Sequence, residues 1–208
     1  MELSIDLQPE SFRINHEGKL ILTYLGNAKL IRKSKRQRTY TIKGTPHYMA
    51  PEILTGKGYS YIVDFWSLGV SFYGFLCGGM PYGEEVNDPY DIYDFIVTKE
   101  LTFPNFLQDE QAKICIRQLL SQQPETRLGN SIADLKAHAW FEGFDWDKLY
   151  TQQLKPPSIP PQDQMISDTE IKTQIQQGKF IQQEIEEQQS KRKIKQNQIL
   201  DLDWDESF

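Results

Sequence analysis

The chain has 208 residues, enough for one domain and an appendage, and 38% hydrophobic with 12% aromatic residues supplies ample core material. Lys+Arg number 23 and Asp+Glu 29, so the formal charge is -6; this argues against bulk nucleic-acid binding, which needs a net basic face. The two cysteines, Cys77 and Cys115, lie far apart, so no disulfide framework is implied and the expected compartment is the reducing cytoplasm.

The N-terminus carries Glu2 and Asp6 and no basic leader, and no signal peptide is expected. Phe12 and Ile14 alternate with polar residues, His16-Glu17-Gly18 supplies a turn, and Leu20 and Leu22 alternate on the return, which predicts a hairpin. Residues 32–43 form a basic loop with Arg32, Lys33, Lys35, Arg36, Arg38 and Lys43. Val63 to Cys77 is apolar on nearly every side, which predicts a helix buried centrally, with Asp64 suiting its N-terminal dipole and Gly78-Gly79 and Pro81 ending it. The longest nearly apolar run, Leu68 to Cys77, is about half the ~20 residues that a membrane span needs, so no membrane partner is expected.

Helical spacing recurs over Asp88–Lys99 through Tyr90, Ile92-Tyr93 and Phe95-Ile96, and over Gln108–Leu120 through Ala112, Cys115-Ile116 and Leu119-Leu120. Ser131 to His138 reads as a short helix with Ser131 as N-cap. Both cysteines lie among apolar residues and are expected in the core. The histidines at 16, 47 and 138 are too scattered for a metal site. Composition changes near residue 150, where Pro156-Pro157 and Pro160-Pro161 read as extended chain and a Gln-rich charged stretch follows from Gln162 to Gln198. Within it, Ile171, Ile175, Ile181 and Ile185 recur at rough helical intervals over Asp168–Gln196, with Gly178 interrupting: a marginal amphipathic helix or disorder.

Several strings together resemble protein kinases. Gly44-Thr45-Pro46-His47-Tyr48-Met49-Ala50-Pro51-Glu52 is similar to the substrate-binding loop and Ala-Pro-Glu motif. Asp64-Phe65-Trp66-Ser67-Leu68-Gly69-Val70 resembles the central helix of the kinase C-lobe, and Arg127-Leu128-Gly129 resembles the segment whose Arg pairs with the Ala-Pro-Glu carboxylate. His138 to Trp146 resembles the end of the catalytic domain in the cyclic-nucleotide-dependent branch of the AGC kinases. Leu154-Lys155-Pro156-Pro157 resembles the start of the AGC tail, and Trp204 with Phe208 resembles the aromatic C-terminus of cGMP-dependent kinases. The resemblance implies a mainly α fold: a kinase C-lobe with a small β-hairpin and no N-lobe. Residues 1–141 would be a partial kinase domain from the catalytic loop onward, and 142–208 an AGC tail, partly disordered or helical. It further implies a buried Glu52–Arg127 pair, an Asp64 that fixes the catalytic loop, Asp6 at the catalytic base position with Thr45 hydrogen-bonded to it, and Thr41 at the activation-loop phosphorylation position.

The departures cluster at the chemistry. Ser4-Ile5-Asp6-Leu7-Gln8-Pro9-Glu10-Ser11 stands where the family has His/Tyr-Arg-Asp-Leu-Lys-Pro-Glu-Asn. Asp6 survives as a vestigial base, but Ile5 replaces the Arg that grips the activation-loop phosphate, Gln8 the Lys at the γ-phosphate, and Ser11 the Asn magnesium ligand. Tyr24-Leu25-Gly26 stands for Asp-Phe-Gly, so the main magnesium carboxylate is a phenol. No Gly-rich phosphate-covering loop or strand Lys matches. Glu10 sits where relatives hold a basic residue of the peptide substrate, while Gly74 and His47 replace acids that serve the same purpose. Thr41, with Arg38 and Lys29 near it in the pattern, is either a phosphorylation site or an unmodified loop residue.

Positions that bear the fold match, and those that bear catalytic charge do not. The reading is a catalytically silent kinase-fold chain that binds a protein: a kinase, a regulatory subunit or a substrate. ATP and magnesium belong to the family and are not expected as cofactors here; no metal site is expected. One alternative is an active ATP-dependent Ser/Thr kinase whose N-lobe is supplied in trans or encoded upstream. Another is a gene remnant. An apolar face left by missing elements would produce low solubility or association.

Overall fold

Alternation places a hairpin where the sequence predicts it. In this computed structural model, which describes residues 2–4, 7–31, 38–161 and 173, β2 (Phe12–Ile14) pairs antiparallel with β3 (Leu20–Leu22), Phe12 opposite Leu22 and Ile14 opposite Leu20. The turn owes most to Asn15, which the sequence reading passed over: its Oδ1 accepts from the amides of Glu17 at 3.0 Å and Lys19 at 2.8 Å. Gly18 has φ +79, and a Cβ there would lie 2.5 Å from the carbonyl oxygen of Ser158 and 2.7 Å from Pro156. The proline segment thus lies against the hairpin tip, where Lys19 Nζ also donates to Gln152 Oε1 at 2.8 Å. A second antiparallel pair, β1 (Glu2–Ser4) with β4 (Lys29–Ile31), was not anticipated. Three-residue strands carry too little alternation to register.

Among the described residues six helices follow: α1 (Pro51–Leu54), α2 (Val63–Cys77), α3 (Pro89–Thr98), α4 (Glu110–Leu119), α5 (Ile132–Lys136) and α6 (Trp146–Tyr150). Short polar side chains start most of them. Asp88 accepts from the Tyr90 amide at 2.9 Å, Asp109 from Ala112 at 2.9 Å, Ser131 from Asp134 at 3.4 Å and Asp145 from Lys148 at 2.9 Å. Gly78, at φ 81, closes α2 by donating to the Gly74 carbonyl at 2.9 Å. Helices α1 and α6, four and five residues long, are too brief for periodicity to reveal.

The core gathers around α2, where Trp66 and Val70 are fully buried against Met49, Ala50, Ile53, Ile92, Ile96 and Ile116. Gly69 lets α4 approach closely: a Cβ there would sit 2.8 Å from the Leu119 Cβ. The expectation that α2 is buried on all sides needs correction. Its buried residues form one stripe, Val63, Asp64, Trp66, Ser67, Gly69, Val70 and Tyr73, while Phe75 is 71% exposed and Cys77 is only half-buried. The described elements cover one side of the helix and leave the far side of its last turn open. Tyr90, expected on the apolar side of α3, is likewise exposed; Ile92 and Ile96 are its buried anchors.

The chain divides into two compact units, Met1–Ile159 and Pro160–Phe208, and the strands and helices named above lie in the first. The stretch Asp168–Gln196, read as a marginal amphipathic helix or disorder and described only at Thr173, and the aromatic residues Trp204 and Phe208 lie outside the described residues.

Candidate active-site region and its supports

The best-formed feature is the ion pair that the kinase resemblance implied. Glu52, in the first turn of α1, meets Arg127 across 75 residues: Nη1 to Oε1 at 2.6 Å and Nη2 to Oε2 at 2.9 Å. Arg127 is 1% and Glu52 5% exposed. A buried guanidinium must place all its N–H groups. Arg127 sends its remaining bonds to the carbonyls of Ser121, at 3.2 Å from Nε and 3.0 Å from Nη2, and of Ile62 at 3.2 Å. Its charge also lies 5.3 Å from the Trp66 ring centroid, and Tyr82 stacks on that ring at 6.0 Å. One side chain therefore ties α1, the start of α2 and the segment after α4.

Asp64 is buried in the first turn of α2. Nearby, burial pushes the Tyr59 phenol above its ordinary value and the Asp64 charge adds to the rise, against a lowering hydrogen bond from Thr39. The Tyr59 hydroxyl donates to the carbonyl of Thr41 at 2.5 Å, and Thr41 itself is exposed. Thr45 is half-buried, and its carbonyl accepts from the Tyr48 amide at 3.0 Å at the start of a 3-10 turn over Pro46–Tyr48. In the same turn His47 Nε2 donates to the Gly83 carbonyl at 3.2 Å.

Two of the altered positions are brought together. Ser11 is buried at the end of a 3-10 turn, and its carbonyl accepts from the amides of Thr23 at 2.8 Å and Tyr24 at 3.3 Å. Tyr24 is 48% exposed, and its ring folds back so that a Cβ on Gly26 would lie 2.5 Å from the phenol oxygen. Gln8 is half-buried and its carbonyl accepts from the Ser11 amide at 2.9 Å. Glu10 is exposed. Ile5 and Asp6 lie outside the described residues.

The side chains of Ser11 and Tyr24 offer hydroxyls where the family has an amide and a carboxylate. Among the described residues no group of three or more His, Cys, Asp or Glu side chains is placed to hold a metal ion. Magnesium prefers carboxylate and phosphate oxygens in octahedral array, and these two hydroxyls do not fit it.

The sequence reading missed the role of Lys43 and the carbonyl that Arg38 holds. Lys43, seen only as part of a basic loop, donates from Nζ to the Gly26 carbonyl at 2.9 Å. Arg38 donates to the Lys57 carbonyl at 3.2 Å, beside a cavity of about 470 Å³ lined by Pro51, Tyr59, Gln122 and Glu125 among others. No spacing rule identifies which backbone carbonyl a long flexible cation will reach.

Comparison with known proteins shows the family. The protein kinase domain family matches residues 3–141, and the chain belongs to that family. It is 42% identical over 168 residues to a cGMP-dependent protein kinase of Toxoplasma gondii, covering 79% of this chain and 16% of that protein. It is 37% identical over 206 residues to a cGMP-dependent protein kinase of Plasmodium berghei (strain Anka), covering 98% of this chain and 22% of the relative. A cAMP-dependent protein kinase catalytic subunit 3 of Drosophila melanogaster is 40% identical over 158 residues, covering 74% of this chain and 26% of that subunit. Within the family the chain is therefore similar to AGC serine/threonine kinases, and it spans about a quarter or less of the length of these three relatives.

Proposed function

We propose that this chain, from the cGMP-dependent-like branch of the AGC kinases, is catalytically silent and acts by binding another protein in the cytoplasm. The observation that carries the reading is Tyr24: a phenol stands at the position of the main magnesium carboxylate and lies against Gly26, whose carbonyl is taken by Lys43. Phosphoryl transfer depends almost wholly on positioning and charge stabilisation. With Gln8 for a lysine, Ser11 for an asparagine and Tyr24 for an aspartate, three such contributions are lost together. Each ~1.4 kcal/mol lost is a tenfold loss of rate. The Glu52–Arg127 pair and the buried Asp64, which support the scaffold without taking part in transfer, are retained.

The partner class is a kinase, a regulatory subunit or a substrate protein. Glu10 stays exposed and available to a basic side chain, but Gly74 and His47 supply no second carboxylate, so recognition of basic peptides is weakened. Phosphate transfer from radiolabelled ATP to a basic peptide, with magnesium, tests the silence: no incorporation above a no-protein control is expected, and magnesium-dependent turnover by the purified chain refutes it. Capture of kinases or their regulatory subunits at micromolar concentration tests the binding role. A chain that retains none of them lacks it.

A further inference from the structure

The Tyr24–Gly26 turn and the residues entering Gly44 are separated by the basic loop, yet they are joined. Lys43 Nζ reaches the Gly26 carbonyl at 2.9 Å. Lys43 also lines a small cavity of about 30 Å³ with Asn27, Tyr48, Tyr59 and Ser67, between the turn and the start of α2. The preceding residues are fixed from the other side. Thr39 and Tyr59 exchange two backbone bonds, each of 2.9 Å, Tyr59 holds the Thr41 carbonyl, and Arg38 holds that of Lys57. All of these bonds are made by groups of the chain itself.

We propose that Lys43 is a built-in cation that ties the Gly26 turn to residues 38–45, its ammonium fixing the two described segments to each other. An ammonium on a carbonyl makes a charge-assisted bond, and lysine acts as a compact point charge. Being tethered, it loses no translational freedom on docking. Its positive charge also disfavours a divalent cation at the same turn. Residues 26–28 and 38–45 therefore hold one arrangement whatever the metal content of the solution. This concerns loop order and stands apart from whether the chain transfers phosphate.

Amide hydrogen exchange on the full chain, read by mass spectrometry, tests it. Lys43→Met is expected to speed exchange across 39–45 about tenfold while α2 and α4 are unchanged. Lys43→Arg, which keeps a cation of similar reach, restores most of the protection. In the unaltered chain the same peptides exchange equally in millimolar magnesium and in EDTA. Equal rates for Lys43→Met and the unaltered chain overturn the proposal. So does protection that needs magnesium, and so does a speeding of α2 and α4 by the same factor, which would make Lys43 a contributor to global stability only.

Discussion

Arg127 shows how one residue can hold several segments. Glu52→Gln leaves the guanidinium buried beside a neutral amide, and removing one partner of a buried pair typically costs ~3–5 kcal/mol. The urea midpoint of Glu52→Gln is expected to fall accordingly, and a shift within error of zero contradicts the role given to this pair. The pair was legible in the sequence because both partners sit in strings that resemble kinase motifs, Ala50-Pro51-Glu52 and Arg127-Leu128-Gly129. The bonds to Ser121 and Ile62 were not, since carbonyls carry no sequence signal. A second consequence concerns alkaline pH. Burial pushes the Cys115 thiol from 9.0 to about 11 and the Tyr82 phenol from 10.0 to about 12. In both, the neutral form is favoured by folding. Their contribution is complete below the unfolded value and lost as pH rises through the folded one. Stability should hold to about pH 8 and decline between pH 9 and 11, by up to ~2–3 kcal/mol from the thiol alone. Cys115→Ala should flatten that limb in urea titrations at stepped pH; an unchanged slope removes Cys115 as its cause.

At the scale of elements, the close approach of α2 and α4 depends on Gly69 having no side chain. Gly69→Ala inserts a methyl 2.8 Å from the Leu119 Cβ, and overpacking of this kind costs ~1–3 kcal/mol. Asp109 has two duties: Oδ1 caps α4, and Oδ2 accepts from Trp140 Nε1 at 3.2 Å. Asp109→Ala should therefore cost more than the ~1 kcal/mol of an ordinary cap; a thermal melt shifted no further than for Ser131→Ala argues against the second duty. The longer helices were readable because apolar spacing, caps and the Gly78 stop agree. The burial of α2 was misjudged because composition shows what a helix would tolerate against it, not which sides its neighbours reach. Phe75 is the residue where that difference shows.

For the whole molecule, the exposed apolar side chains set the behaviour in solution. Ile14 and Leu20 face one another across the hairpin, and Leu25, Ile42 and Phe75 are also exposed. At micromolar concentration the purified chain should scatter light above its 24.3 kDa monomer mass, and Leu20→Lys should raise the monomer fraction. A monodisperse monomer in both forms contradicts this. The seat of the hairpin tip bears on how the protein is made. Lys19 and Gln152 are 133 residues apart, and Gln152 sits at φ 58 to meet it. At ~5–20 residues per second, the ribosome delivers the far partner roughly 7–27 seconds after the near one. The tip is thus among the last regions to settle during synthesis, and nascent chains arrested before Gln152 emerges should leave it open to protease.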